Sequence, residues 1–278
     1  MSTVKQQSML FLANLLSSIA EDAVWVNSLE SQRIADQKLV SLSLAKECGF
    51  SIPDTLASND PVRVRAFAER HGWDVIAKNF VQGGWRTADG NLVMMRTSRL
   101  DRNSLQGDGA ILKCPMIFQP YIRKERELRV TVIGNQVFPF SVVCNDTETV
   151  DWRIDEAAGA VRFEPVSIPS ALEQACLRLC RRVGLRFAAI DILVLADGTS
   201  LFLEVNEGGQ FLWLEEACPE VPLLDTFCHL LATPITGIRS VEPLYLREFR
   251  SSTEWQERLR VLNAGGTGGG DNKIVPET

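Results

Sequence analysis

No stretch of this 278-residue chain approaches the roughly 18 uninterrupted apolar residues that a membrane span requires. A basic surplus is also missing: 29 Lys and Arg stand against 35 Asp and Glu, for a formal charge of -6. That balance, with a pI near 5.2, excludes a general nucleic-acid binder and leaves room only for a local basic patch. The seven cysteines, at positions 48, 114, 144, 176, 180, 218 and 228, form neither a disulfide framework nor a CxxC zinc or redox motif, so a reducing, cytoplasmic setting is expected. His71 and His229 complete no Ser, His and acid constellation, which leaves a hydrolase without support. There is no internal repeat, and the tail GGTGGG lacks the preceding strand and following helix of a phosphate loop. What remains, at 45% hydrophobic and 23% charged residues, is a soluble globular chain of one large or two modest domains.

Lys5 followed by MLFLANLLSSIA imitates a secretory signal. Met9, Leu12, Leu15, Leu16 and Ile19 nevertheless recur at helical spacing, which an amphipathic helix docked on the body explains. Residues 31–49 read as one helix, with Ile34, Leu39, Leu42 and Ala45 on one face and Gly49 as its stop. Asp60 and Pro61 open a second helix that runs to Arg70, and DVIAKNF reads as a strand. A turn at Gly83-Gly84, another at Asp89-Gly90 and the strand LVMMRTS follow. MIFQPYI is expected to start a new sheet, LRVTVIGNQVFPFSVV to form a hairpin at Gly134-Asn135, and Pro169 to Val183 to form a helix closed by Gly184. The expected divisions are an N-terminal helical segment over 1–30, α/β units over 31–117 and 118–235, and an extension with a flexible tail over 236–278.

The strongest chemical signal is IDILVLADGTSLFLEVN, a second hairpin. If Asp197-Gly198 is a two-residue type I′ loop, Ala196 pairs with Thr199 and outward counting sets Asp191 opposite Glu204. Two anions facing each other repel, so the arrangement makes sense mainly with a cation between them. Asn206 shares the face of Glu204 and adds a neutral oxygen ligand of the kind Mg²⁺ accepts. Ile192, Val194, Leu201, Leu203 and Val205 are assigned to the opposite, buried face. The competing reading is that these carboxylates end exposed strands and are merely solvated.

The run FLEVNEGGQ, preceded by FQPYI at 118–122 and by a strand lysine at Lys78, resembles the ATP-grasp ligases. ADQKLVSLSLAKECGFSIPDTLASND, MIFQPYIRKERELRVTVIG, VDWRID and FLEVNEGGQFLWLE resemble, more narrowly, the microviridin-type ATP-grasp enzymes. These graspetide synthetases cyclise ribosomal precursor peptides through side-chain esters and amides. The resemblance runs from about Val24 to Thr233 and implies an α/β (α+β) ATP-grasp fold, with two α/β subdomains whose antiparallel sheets grip ATP. It further implies a chain lacking most of the usual N-terminal domain.

Carried onto this sequence, the resemblance places Lys38 and Lys78 on the phosphates of ATP. Gln119, Tyr121 and Ile122 fall at the adenine hinge, where Pro120 removes one main-chain donor, and Glu127 falls on the ribose hydroxyls. Asp191, Glu204 and Asn206 would hold Mg²⁺, as two ions. Arg153 in VDWRID and Arg129 in ELRV would clamp the transferring phosphoryl group and the acyl phosphate, with Arg86 and Arg162 as further candidates and Trp85 at the tip of a loop. For Glu127 the alternative is an ion pair with Arg123 or Arg129. The implied partners are a ribosomal precursor peptide with its leader, a second copy in a homodimer, or a partner chain that completes the missing domain; no nucleic acid and no membrane are implied. The rivals are an intermolecular ligase adding an amino acid, a non-catalytic nucleotide-binding subunit, and a kinase.

Overall fold

The computed structural model describes residues 3–19, 23–81, 83–86, 89, 92–95, 97–144, 150, 152, 161–232 and 244–264. In chain order the strands are β1 (Leu56–Ser58), β2 (Val75–Lys78), β3 (Gly83–Arg86), β4 (Leu92–Met95), β5 (Ser98–Leu100), β6 (Met116–Pro120), β7 (Arg126–Ile133), β8 (Gln136–Cys144), β9 (Val161–Pro165), β10 (Phe187–Val194) and β11 (Ser200–Asn206). The helices are α1 (Thr3–Ile19), α2 (Leu29–Ala35), α3 (Lys38–Glu47), α4 (Pro61–Arg70), α5 (Asp108–Lys113), α6 (Ser170–Val183), α7 (Leu212–Ala217), α8 (Leu223–Ala232), α9 (Leu246–Ser251) and α10 (Thr253–Ala264).

Strands pair antiparallel into a four-stranded sheet of order β1-β6-β2-β5, a five-stranded sheet of order β11-β10-β7-β8-β9, and a β3-β4 ribbon. The smaller sheet is covered by α4. Asp60 caps that helix by accepting from the N–H of Val62 at 2.9 Å, and Pro61 stands where no N–H is needed. Val64, Phe67 and Ala68 then pack on Val75, Ala77 and Phe118.

The larger sheet is covered on both faces. Leu128, Val130 and Val132 of β7 alternate with Arg129 and Thr131, and Ile190, Ile192 and Val194 of β10 alternate with Ala189 and Asp191. The first set enters the main core with Leu42 and Ala45 of α3, Leu179 and Val183 of α6, and Phe202 and Val205 of β11. On the opposite face, Ile133, Phe140 and Phe187 pack with Leu214 and Leu223 at one end and leave the polar side chains at the other.

Several expectations are corrected here. The helix foreseen over 31–49 is two helices, broken at Asp36–Gln37. Ser41 tolerates the break by donating its hydroxyl to the Ala35 carbonyl at 2.7 Å, so a helix end that would be left unsatisfied is capped. Both helices pack on the larger sheet, so residues 31–50 do not join the smaller unit. The boundary foreseen at 117/118 falls inside β6, which belongs to the smaller sheet because it pairs with both β1 and β2. Gly83 and Gly84, foreseen as a turn, lie in β3 opposite Met95 and Met94. The direction reverses further on, around Asp89; Gly90 lies outside the described residues.

The N-terminal helix forms, but its large apolar side chains are exposed rather than packed on the body: Met9 is 56%, Phe11 68% and Ile19 66% exposed. The run Met9, Leu10, Phe11, Leu12 spreads its apolar side chains around the helix rather than along one stripe, which leaves no single face for docking. The C-terminal extension carries α9 and α10. It is anchored by the buried Glu215 carboxylate, which accepts from the N–H groups of Leu224 at 2.7 Å and Leu246 at 2.6 Å. The tail over 265–278 lies outside the described residues.

Candidate functional site

The polar face of the larger sheet is organised in rows. Phe140, Arg129, Asp191 and Glu204 are successive cross-strand partners on β8, β7, β10 and β11. The next row is Thr131, Ala189 and Asn206. The pairing of Asp191 with Glu204 is the one expected from sequence, but it arises differently. The loop is three residues, not two: the Leu195 N–H donates to Thr199 and the Gly198 N–H to Leu195, each at 2.9 Å, with Gly198 at φ 83°. That loop alone would set Leu203 opposite Asp191. A bulge between Ile192↔Phe202 and Asp191↔Glu204 inserts Leu203 as an extra residue and restores the pairing. Leu203 is therefore not on the buried face; it is half-buried and lines the cleft.

Arg129 and Asp191 form a buried ion pair, with Nη1 at 2.7 and 3.0 Å from the two carboxylate oxygens. Burial pushes the Asp191 carboxyl up from 3.8 to about 6, against the pull of Arg129 and with the push of Glu204 and Glu127. The Asn206 amide lies between the carboxylates, its Nδ2 at 3.3 Å from Asp191 and 3.4 Å from Glu204. Across the cleft, Lys38, the first residue of α3, places Nζ 4.0 Å from Glu204. Lys78, the last residue of β2, has its ammonium pKa lowered by burial, while Glu204, Glu127 and Asp191 pull the other way. The Arg129 Nε and the Thr131 hydroxyl, two residues apart on this face, are buried without a hydrogen-bond partner among the described residues.

Beside them opens a cleft of about 540 Å³ lined by Lys38, Phe80, Leu203, Glu204, Asn206 and Gly209. Gly209 closes onto the ion pair, since a Cβ there would stand 3.1 Å from Arg129 Nη2. Lys38 from a helix, Glu204 and Asn206 line the cleft itself, with Lys78 from the end of β2 and the Arg129–Asp191 pair within electrostatic reach behind them: cationic groups for a polyanion beside carboxylates for a cation.

The chain carries this site on a recognisable scaffold. Residues 35–217, well over half of it, match the model of the RimK-like ATP-grasp domain. The chain belongs to the RimK-like ATP-grasp family. Its antiparallel sheets with flanking helices are the ATP-grasp fold that the sequence resemblance implies. One solved structure similar to this ATP-grasp chain is a RiPP-associated ATP-grasp ligase from Chryseobacterium gregarium in complex with ADP and a leader and core peptide. It is 29% identical, with a TM-score of 0.75 and coverage of 83% of this chain and 69% of that one. Another is the macrocyclase MdnC from Microcystis aeruginosa MRC bound with precursor peptide MdnA, 25% identical, with a TM-score of 0.71 and coverage of 84% and 72%. Among curated relatives, the chain matches the alpha-aminoadipate–LysW ligase LysX of Sulfurisphaera tokodaii at 23% identity over 202 residues, 70% of this chain and 67% of that one. It matches human N-acetylaspartylglutamate synthase A at 27% over 108 residues, 37% of this chain and only 26% of that protein.

Within this ATP-grasp site, Lys38, Lys78, Glu127, Arg129, Asp191, Glu204 and Asn206 share one neighbourhood. Glu127 pairs with Lys124 at 2.5 Å, a partner absent from the sequence reading although the two stand i, i+3 in KERE. Gln119, Tyr121 and Ile122, expected at an adenine hinge, lie at and just beyond the end of β6 in the smaller sheet. The Gln119 amide donates to Thr55 at 3.0 Å and leaves its buried Oε1 without a partner among the described residues. The Tyr121 N–H is already given to the Asp74 carbonyl at 2.9 Å, and its ring lies 3.7 Å below the Arg99 guanidinium. Ile122 follows, half-buried.

Arg153 lies outside the described residues, as do the side chains of Trp85 and Arg86; Arg162 is exposed on β9. His71 closes α4 with its Nε2 2.8 Å from Asp54, and burial pushes the Cys176 and Cys180 thiols up to about 12, which makes them packing groups. No group of three or more His, Cys, Asp or Glu side chains that could hold a metal ion occurs among the described residues. The Asp191 and Glu204 carboxylates converge, with the Asn206 amide presenting its nitrogen to both; two hard oxygen ligands fit Mg²⁺, an ion that keeps several waters, and turning the amide over would add its oxygen to the set.

Proposed function

We propose that this chain is an ATP-dependent carboxylate ligase that closes side-chain esters or amides in a ribosomal precursor peptide. The observation that carries the reading is the cross-strand pair Asp191 and Glu204, joined by the Asn206 amide, with Lys38 4.0 Å from Glu204 and Lys78 within electrostatic reach of both carboxylates. Similarity to ligases that act on precursor peptides supports the substrate class.

On this reading Lys38 from the start of α3 and Lys78 from the end of β2 bind the phosphates of ATP as point charges. Asp191, Glu204 and Asn206 hold Mg²⁺, which when bound spreads the charge of the transferring phosphoryl group. Arg129 holds Asp191 in its ionised, oriented form and, together with Arg153, offers planar donors to the acyl phosphate formed on an Asp or Glu side chain of the peptide. A Ser, Thr or Lys side chain of the same peptide then attacks that carbonyl and phosphate leaves, so the chain needs no covalent nucleophile of its own. Gly209 and Leu203 narrow the cleft and exclude the water that would hydrolyse the acyl phosphate.

The test is intact-mass spectrometry of a precursor peptide encoded beside this gene, incubated with the purified chain, Mg²⁺ and ATP. Successive losses of one water per ring support the reading. The similarity to LysX and N-acetylaspartylglutamate synthase A favours a second reading, intermolecular addition of an amino acid, and a mass gain of one residue would establish it instead. An unchanged peptide with ATP bound but not consumed would remove both.

A further inference from the structure

Asn27 stands outside the cleft, is 2% exposed, and uses both ends of its amide. Its Oδ1 accepts from the main-chain N–H groups of Arg186 at 2.7 Å and Phe187 at 3.1 Å. Its Nδ2 donates to the carbonyls of Phe187 and Glu207, each at 2.8 Å. Accepting from the N–H and donating to the C=O of one strand residue is what a neighbouring strand does. The ladder between β10 and β11 ends at Ala189↔Asn206, and its register, continued, would bring Gly208 opposite Phe187. The Asn27 amide takes that place.

The consequence lies in the cleft. Because Asn27 satisfies Phe187, the chain after Asn206 leaves the sheet without stranding main-chain groups. It crosses the polar face with Gly209 close against Arg129, and a Cβ at Gly209 would also stand 3.6 Å from the Cβ atoms of Ala189 and Asn206. Asn27 is itself held from behind. Gln32 Nε2 donates to its carbonyl at 2.9 Å, Ser28 caps α2, and the Ser31 hydroxyl donates to the Gly184 carbonyl at 3.0 Å beside the start of β10.

We propose that Asn27 is a positioning residue of the ligase site: acting as a one-residue strand, it sets the path of Glu207 to Gly209 and so the placement of Asn206 and Arg129 around Asp191. The proposal rests on the reading of Asp191, Glu204 and Asn206 as metal ligands. Asn27→Asp keeps both bonds accepted from Arg186 and Phe187 but sets a carboxylate against the carbonyls of Phe187 and Glu207; Asn27→Ala removes all four bonds.

The full-length chain and both variants are compared by hydrogen exchange and by calorimetric titration of Mn²⁺ in the presence of ADP. The expected result is amide exchange over 207–211 faster by about tenfold with β7 and β8 unchanged. Mn²⁺ affinity should weaken by about tenfold, and the half-saturating Mg²⁺ in ATP turnover should rise with little change in the ATP KM at saturating Mg²⁺. Exchange over 207–211 and Mn²⁺ affinity both within twofold of wild type would overturn the proposal.

Asp191→Asn separates the two readings. If it leaves Mn²⁺ affinity intact, the metal assignment fails, and the exchange data still judge Asn27. Should neither Asn27 variant fold, the wild-type chain decides: the Arg186 and Phe187 amides must be protected like that of Ile190, and loop-like exchange there would overturn the proposal.

Discussion

The buried Asp191 is an expensive residue whose cost the site offsets through named neighbours. Its carboxylate is removed from water, faces Glu204, and is held by Arg129 and the Asn206 amide. Glu204→Gln keeps the shape and the Asn206 contact but removes one of two facing anions. Mg²⁺-dependent turnover should fall by on the order of 10²-fold or more, with an undiminished melting temperature, as steady-state kinetics and thermal unfolding would show. The pH dependence follows from the same group. A carboxyl raised from 3.8 to about 6 binds more protons when folded, so its contribution to stability is fully present below pH about 4 and is lost as pH rises through 6. Metal binding needs the ionised form, so the Mg²⁺ concentration for half-maximal turnover should rise as pH falls below about 6. A titration of Mg²⁺ between pH 5.5 and 8 measures this; a flat response would remove Asp191 from the ligand set.

At the scale of elements, the latch between α2 and the start of β10 matters more than its size indicates. Gly184 ends α6 at φ 81°, and an added Cβ would lie 2.7 Å from the Ser31 hydroxyl oxygen. Gly184→Ala should therefore cost about 1–3 kcal/mol, read as a lower urea midpoint at unchanged slope. The N-terminal helix is the opposite case. Its large apolar side chains are exposed, so removing residues 1–22 should leave the melting temperature within a degree or two of the intact chain. The bulge at Leu203 shows what sequence periodicity omits. Strict alternation assigned Leu203 to the core and still paired Asp191 with Glu204 correctly, because a loop one residue longer and a bulge of one residue compensate.

Across the whole molecule, free thiols report how the layers close. Cys48, Cys176, Cys180 and Cys218 are buried, Cys144 and Cys228 half-buried, and Cys114 exposed. An aromatic disulfide reagent should modify Cys114 first in the native protein, with the four buried thiols reacting only as the sheets separate in denaturant. Fast native modification of Cys176 or Cys180 would contradict the packing of α6 on β7 and β10.

Local chemistry was sufficient for much of this. Asp60-Pro61 and Gly184 mark helix ends by capping, Gly134-Asn135 marks a hairpin, and the alternation in IDILVLADGTSLFLEVN set two carboxylates and an amide on one face. These signals depend on neighbours a few residues apart. What tertiary structure alone decided depends on distant ones. The register of the larger sheet allotted Arg129 to Asp191, 62 residues away. Long-range packing moved α2 and α3 onto the larger sheet and left β6 with the smaller. The four bonds of Asn27 span 159 to 180 residues. No period of 2 or 3.6 encodes such a contact, because it exists only once both surfaces are already built.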